Sequence, residues 1–143
     1  HRGMSDVMVE PTIREEEDHF VLPLTGREVD QVCVDYAVTL VIDGTDTVRL
    51  DSPFTVSFPD RTLLIDPQRL DTVAPVLELF RAVILRAWAG KDGSLVLMFD
   101  DERSLRIEPD PDGEAWEIGG GLPPVSPSYR IVALPTGSGI EFS

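Results

Sequence analysis

The fold of this chain is decided by residues 29–50, which read VDQVCVDYAVTLVIDGTDTVRL. Val, Ile, Thr and Tyr are frequent in this stretch, and its apolar pattern breaks at Asp43-Gly44 before it resumes. β-Branched and aromatic side chains fit the half-buried face of a pleated sheet, and an Asp-Gly pair between two such runs is typical of a hairpin turn. The stretch therefore predicts antiparallel β structure.

The same alternation continues along the chain and predicts further strands. Turn residues separate the runs, among them Gly90, Gly93 and the acidic pair Asp100-Asp101. The predicted strands cover residues 54–58, 63–65, 82–89, 94–99, 104–107 and 114–118, and a closing pair covers residues 130–134 and 139–142.

Two of the predicted hairpins match each other when the chain is shifted by 57 positions. Residues 39–51 then lie over residues 96–108, with a turn of the same length in each. Because turn length sets the strand register, both hairpins would present apolar residues to the core and point Arg49 and Arg106 the other way. Two interpretations stay open: related meanders within one chain, or independent amphipathic hairpins that look alike.

Only one stretch predicts a helix. Apolar residues recur there at i, i+3, i+4 and i+7, the spacing of one helical face, namely at Val73, Val76, Leu77 and Phe80. Thr72 or Asp71 can cap its start, and Pro75 falls in the first turn, where a missing N–H is tolerated. We therefore expect an α+β fold of mainly antiparallel β-meanders with one central α-helix packed on the sheet.

The length of 143 residues sets the domain organisation. A chain of this size buries about 68% of its unfolded surface, which suits one core and leaves little room for a second. We divide the chain into residues 1–21, comprising a tag remnant (His1-Arg2-Gly3) and a flexible acidic tail, and residues 22–143, a single β-rich domain.

Charge narrows the range of partners. The chain has 26 acidic residues against 12 Lys and Arg, a net charge of −14. The negative electrostatic field of such a chain repels phosphate backbones and anionic lipids, so we expect no nucleic acid and no membrane as partner. The same field favours association with a protein that has a basic surface. The other interpretation is a solvated acidic surface without a partner. Since no apolar run is long enough for a membrane span and Cys33 is a single cysteine, we expect a cytoplasmic protein.

The residues that usually carry out catalysis are scarce. A Ser or Cys nucleophile needs a base beside it, but His19 falls in the predicted tail, where we expect it to be solvated. Cys33 lies in an apolar strand and is expected to be a buried, inert thiol. No Cys/His cluster predicts zinc, and no glycine-rich loop predicts a phosphate site. The sequence thus predicts no catalytic residue, no metal site and no cofactor.

One segment, residues 108–114, is dense in carboxylates and reads EPDPDGE. Asp110, Asp112 and Glu114 alternate as calcium ligands do, and paired acids also serve glycoside hydrolysis, yet Asp-Pro and Asp-Gly are ordinary turn pairs as well. Trp116 follows and is a core aromatic or, if exposed, a contact anchor. These four residues are the candidates for an interaction site. Calcium binding, small-ligand binding or carboxylate-dependent hydrolysis by this segment is the alternative.

Four motifs carry a family resemblance. They are VDYAVTL at 34–40, LRIEPDP at 105–111, EAWEI at 114–118 and RIVALP at 130–135. With them the chain resembles a family of small acidic proteins, mainly of actinobacteria, that is classed as a domain of unknown function. The resemblance brings no activity, cofactor or catalytic residue, and some relatives look similar to immunity-type proteins.

Taken together, these features predict a protein that works by binding. The hypothesis is a non-enzymatic interaction protein, of an immunity-like or regulatory kind, whose acidic surface contacts a protein partner with a basic surface. Exposed strands at the edges of a sheet also allow a homodimer.

Overall fold

A computed structural model of the chain describes residues 13–120, 129–134 and 139–142. Thirteen strands dominate it. In chain order they are β1 (Arg14–Glu15), β2 (His19–Val21), β3 (Val29–Val34), β4 (Val38–Ile42), β5 (Asp46–Leu50), β6 (Phe54–Phe58), β7 (Arg61–Ile65), β8 (Ile84–Gly90), β9 (Leu95–Phe99), β10 (Ser104–Ile107), β11 (Trp116–Gly120), β12 (Tyr129–Ala133) and β13 (Ile140–Phe142).

The strands form two sheets. One has seven strands in the order β1-β2-β8-β9-β10-β6-β7, and the other has six in the order β13-β12-β11-β5-β4-β3. All the pairings between these strands are antiparallel. The prediction of antiparallel β structure is therefore confirmed.

Both sheets contribute to one hydrophobic core. Along β4, β5 and β6 every second residue is buried, as expected where one face of a sheet is covered. The largest fully buried side chains come from both sheets and the links between them, and include Trp116, Phe54, Phe99, Leu22, Leu24, Leu40 and Ile84. Arg49 and Arg106 have side chains about half exposed, on the faces turned away from this core.

The two halves of the chain follow the same strand plan. A shift of 57 residues carries β4 onto β9, and β3 and β8 each have a register irregularity at the same point, after Val29 and after Ile84. The hairpin β6–β7 follows the first meander but pairs with β10 of the second, while β11–β12 follows the second and pairs with β5 of the first. The halves thus exchange hairpins, which joins them into one structure.

The predicted α+β class and its central α-helix are wrong, because the described residues form antiparallel strands and only short 3-10 segments. The chain forms instead a 3-10 turn, Leu70–Thr72, and a 3-10 helix, Ala74–Leu79, and no helix of the described residues is long and apolar enough to cross a membrane. The buried residues are Val73, Val76 and Leu79, three apart, which matches the three residues per turn of a 3-10 helix, whereas Leu77 and Phe80 are exposed.

Part of the segment expected to be a tail belongs to the seven-stranded sheet. β1 and β2 form a hairpin, and β2 pairs with β8 from His19↔Gly90 to Val21↔Trp88. The predicted tag remnant and the rest of the predicted tail, residues 1–12, lie outside the described residues. The pairing places His19 and its acidic neighbours beside the outer face of this sheet.

Candidate functional site

The carboxylates of residues 108–114 are used to build a turn. Asp110 Oδ2 accepts a hydrogen bond from the Ser52 hydroxyl at 2.7 Å, and its Oδ1 accepts one from the backbone N–H of Asp112 at 2.7 Å. These bonds, the backbone one first, hold the pKa of Asp110 below its ordinary value. The segment therefore has the Asx-turn chemistry that its Asp-Pro and Asp-Gly pairs allow.

The remaining acidic candidates, Asp112 and Glu114, are both exposed, and Glu114 is paired with an arginine. Glu114 Oε1 lies 3.3 Å from Arg130 Nη2, and the same guanidinium bonds Glu117 at 2.8 Å through Nε. Among the described residues there is no group of three or more His, Cys, Asp or Glu side chains that could hold a metal ion. The geometry offers no support for calcium binding or a carboxylate-dependent hydrolase at this segment.

Trp116, the fourth candidate, is a core residue. Its exposed fraction is 0%, and its indole Nε1 donates a hydrogen bond to the Gly93 carbonyl at 2.8 Å. A buried indole satisfied in this way ties β11 to the β8–β9 loop. Because it has no exposed surface, Trp116 does not serve as a contact anchor for a partner.

A cavity of about 400 Å³ lies instead on the outer side of the seven-stranded sheet. This volume is within the range of sites that bind small ligands or side chains. β2, β8, β10 and the β8–β9 loop surround it, and we call it the Trp88 pocket. Its lining includes Glu17, Asp18, His19, Trp88, Lys91, Asp92, Ser94 and Arg106.

One wall of the Trp88 pocket is formed by the end of the β1–β2 hairpin. His19 Nδ1 lies 2.6 Å from Asp18 Oδ1, and the imidazole meets the Trp88 ring edge-on, with 6.3 Å between ring centroids. The hydrogen bond with His19 is the main cause that holds the pKa of Asp18 below its ordinary value. Asp18 is therefore ionised at neutral pH.

A neighbouring part of the lining comes from the β8–β9 loop, where the Lys91 N–H donates to the Asp18 carbonyl at 2.9 Å. Asp92 Oδ1 accepts two hydrogen bonds from Ser94, one from the hydroxyl at 2.7 Å and one from the backbone N–H at 3.0 Å. These bonds are the main cause of a lowered pKa at Asp92, and the charge of Arg106 adds to it. The Ser94 hydroxyl thus donates to a carboxylate, which is not the arrangement that activates a serine nucleophile with a histidine base.

The cations around the pocket already have carboxylate partners. Lys91 Nζ lies 2.6 Å from Glu15, and Arg106 Nε is paired with Glu108. Arg86 differs, because its guanidinium lies over the Trp88 ring at 5.3 Å from the ring centroid. The pocket therefore combines an aromatic wall with ionised carboxylates, and this combination can bind a group without transforming it.

The residues of this pocket were missed or assigned other roles by sequence reasoning. His19 was expected to be solvated in a tail, and it instead lies in β2 with its side chain 29% exposed. Trp88 lies half-buried on the outer face, and Cys33 is half-buried rather than buried. The alternation in β8 contained a usable signal, since the small buried residues Ala87 and Ala89 place Trp88 on the opposite face.

Comparison with protein families assigns the chain to one of them. The model of a family described as "Family of unknown function (DUF6188)" matches residues 20–139. The match covers most of the chain, and the chain belongs to this family. Comparison with curated proteins and with solved structures finds no match.

Proposed function

We propose that this chain is a non-enzymatic binding protein whose acidic surface contacts a protein partner with a basic surface. One observation carries the proposal: with the exception of Arg86, every Lys and Arg of the described residues lies within 4 Å of a carboxylate. The pairs join Arg14 to Glu16, Arg27 to Asp43 and Asp46, Arg49 to Asp51, Arg61 to Asp60 and Glu78, Arg69 to Asp71, Arg81 to Glu28, Lys91 to Glu15, Arg103 to Asp101, Arg106 to Glu108, and Arg130 to Glu114 and Glu117.

Local pairing of this kind removes the positive regions of the surface. The chain has more than twice as many acidic residues as Lys and Arg, so the carboxylates in excess dominate the field around the protein. Such a field speeds association with a positively charged surface and disfavours nucleic acids and anionic membranes. An immunity-like or regulatory role and a cytoplasmic location belong to the same proposal.

The function is tested by capture with a charge-matched control. The protein is immobilised and exposed to cytosol of its source organism at about 50 mM salt, and an unrelated protein of similar net charge is treated in parallel. We expect a partner of isoelectric point above about 9 that only this protein retains. With the partner purified, calorimetry should show a defined stoichiometry and an affinity that falls at least about tenfold by 300 mM salt, because screening shortens the range of charge interactions.

Two results would overturn the proposal. In the first, the protein and the charge-matched control retain the same set of basic proteins, which would show that the acidic field acts without a specific partner. In the second, the specific partner binds equally well at both salt concentrations, which would show that charge does not drive the association.

A further inference from the structure

We propose that the Trp88 pocket binds a guanidinium group, presented as an arginine side chain by the protein partner. This inference rests on the proposed function and names the part of the surface where recognition takes place. Three observations carry it: the asymmetry between the two sheets, the contact of Trp88 with Arg86, and the distribution of charge around the pocket.

The two sheets are built on the same plan, so their equivalent positions can be compared. Trp88 pairs with Val96 across β8 and β9, and Cys33 pairs with Thr39 across β3 and β4; the 57-residue shift carries Thr39 onto Val96. Trp88 thus stands where the other sheet has Cys33. The sheet architecture does not require a large aromatic side chain at this position.

The surroundings of Trp88 are also particular to its sheet. β2 pairs with β8 and brings His19 and Asp18 to the pocket, whereas β3, the equivalent of β8, is an edge strand in the described part of the six-stranded sheet. The half-exposed indole and the strand beside it are therefore found only in the seven-stranded sheet, although both sheets share the same strand plan. Exposed aromatic side chains in such positions are frequent anchors of binding sites.

The Trp88 indole already contacts a guanidinium within this protein. The guanidinium of Arg86 lies over the Trp88 ring, 5.3 Å from its centroid. Tryptophan is the aromatic side chain that binds cations best, because its face carries the most negative quadrupole potential. A ligand guanidinium in the adjoining pocket would use the same chemistry.

The charge of the pocket favours a cation over an anion. Lys91 and Arg106 are already paired with Glu15 and Glu108. The carboxylates of Asp18 and Asp92 are ionised at neutral pH, and hydrogen bonds lower the pKa of each below its ordinary value. A guanidinium offers five N–H donors in a planar fork, and the carboxylates of the pocket lining can accept them. A phosphate or carboxylate ligand is negatively charged, so the carboxylates of the pocket would repel it.

The experiment uses the two indole N–H signals of the isotopically labelled full chain. Trp88→Phe removes one signal and so assigns both tryptophans, Trp88 and Trp116. The probe is Nα-acetyl-arginine N-methylamide, and its matched control is the citrulline derivative, which has a neutral urea in place of the guanidinium. We expect the arginine probe to shift the Trp88 signal with a dissociation constant on the order of 1–10 mM, since one side chain makes few contacts, and the control to leave it unshifted.

Variants separate the pocket from the overall field. Trp88→Ala should weaken binding of the arginine probe, followed through other pocket resonances, about tenfold. Asp92→Asn should weaken it severalfold, because the amide oxygen still caps the loop through Ser94 while the charge is lost. Asp100→Asn, which makes the same change in an exposed turn away from the pocket, should leave the affinity within about twofold. A dispersed amide spectrum confirms that each variant folds.

The outcomes also separate this inference from the proposed function. Equal shifts with both probes, or an equal loss in the Asp92→Asn and Asp100→Asn variants, would overturn a guanidinium site. If a specific basic partner is captured and Trp88→Ala and Trp88→Phe bind it with unchanged affinity, the proposed function stands and the Trp88 pocket is not its contact. If the arginine probe binds but no specific partner is retained, the pocket stands and the proposed function fails.

Discussion

Replacing Trp116 by phenylalanine tests how much the buried Trp116 side chain and its hydrogen bond to Gly93 stabilise the fold. The indole is fully buried, and its Nε1 donates to the Gly93 carbonyl at 2.8 Å, which links β11 of the six-stranded sheet to a loop of the seven-stranded sheet. Phe54 occupies the equivalent position in the other half, since Trp116 pairs with Leu50 as Phe54 pairs with Ile107. A phenyl ring therefore suits this type of position, and the substitution removes the hydrogen bond and part of the packing.

The expected loss of stability has two parts. A cavity of roughly 40 Å³ left by the smaller ring costs about 1 kcal/mol at 24 cal/mol per Å³. Leaving the Gly93 carbonyl without its donor costs about 1–3 kcal/mol. The free energy of unfolding should therefore fall by about 2–4 kcal/mol.

The measurement is urea unfolding followed by far-ultraviolet circular dichroism, which does not depend on either tryptophan. With a slope of about 2 kcal/mol per M, the middle of the range for small proteins, the midpoint should move down by about 1–2 M. Trp88→Phe is the matched control, because it makes the same chemical change at a half-buried position on the outer face. Its cost should stay below about 1 kcal/mol.

Equal losses of stability for the two substitutions would contradict this prediction, because they would show that the buried hydrogen bond and the packing around Trp116 contribute no more than a surface contact. A cost below about 1 kcal/mol for Trp116→Phe would refute it as well, since the packing term alone reaches that value.

Two further predictions concern charge. Arg27→Ala should lower the free energy of unfolding by about 2 kcal/mol, because Arg27 forms an ion pair with the nearly buried Asp46. Arg69 forms an exposed ion pair 3.7 Å long, so Arg69→Ala should change the free energy by less than about 0.5 kcal/mol in the same urea assay. The lowered pKa values of Asp92 and Asp110 mean that their charged forms stabilise the fold above pH 3.8 and that this stability is lost as the pH falls further. The unfolding midpoint of the double variant Asp92→Asn/Asp110→Asn should then decline less steeply below pH 4 than that of the parent; an identical decline would contradict this.

Strand positions follow closely from local pattern. The prediction for residues 54–58 coincides with β6 and that for residues 104–107 with β10, because each alternates apolar and polar side chains with period two. Strand ends were less exact, as at β11, which begins at Trp116 rather than at residue 114. Burial on one face of a sheet repeats every second residue, and such a repeat is visible without any knowledge of the partners.

The type of helix could not be predicted from local pattern in the same way. Val73, Val76, Leu77 and Phe80 satisfy an α-helical spacing, but the first two also satisfy a spacing of three, continued by Leu79. A stretch this short contains too few turns to separate a period of 3.6 from one of 3.0. Tertiary packing favours the 3-10 helix over the α-helix, because only the residues spaced by three are buried.

Local sequence indicated the strands from β3 to β13, the outward direction of Arg49 and Arg106, and the acidic field, but it did not indicate β1 and β2. The exchange of hairpins between the two sheets, and the meeting of His19, Asp18, Trp88 and Asp92 in one pocket, follow only from the tertiary structure. The physical reason is one of range: side-chain alternation and turn chemistry act between residues a few positions apart, whereas strand pairing and pocket formation join residues about seventy positions apart, as with His19 and Gly90.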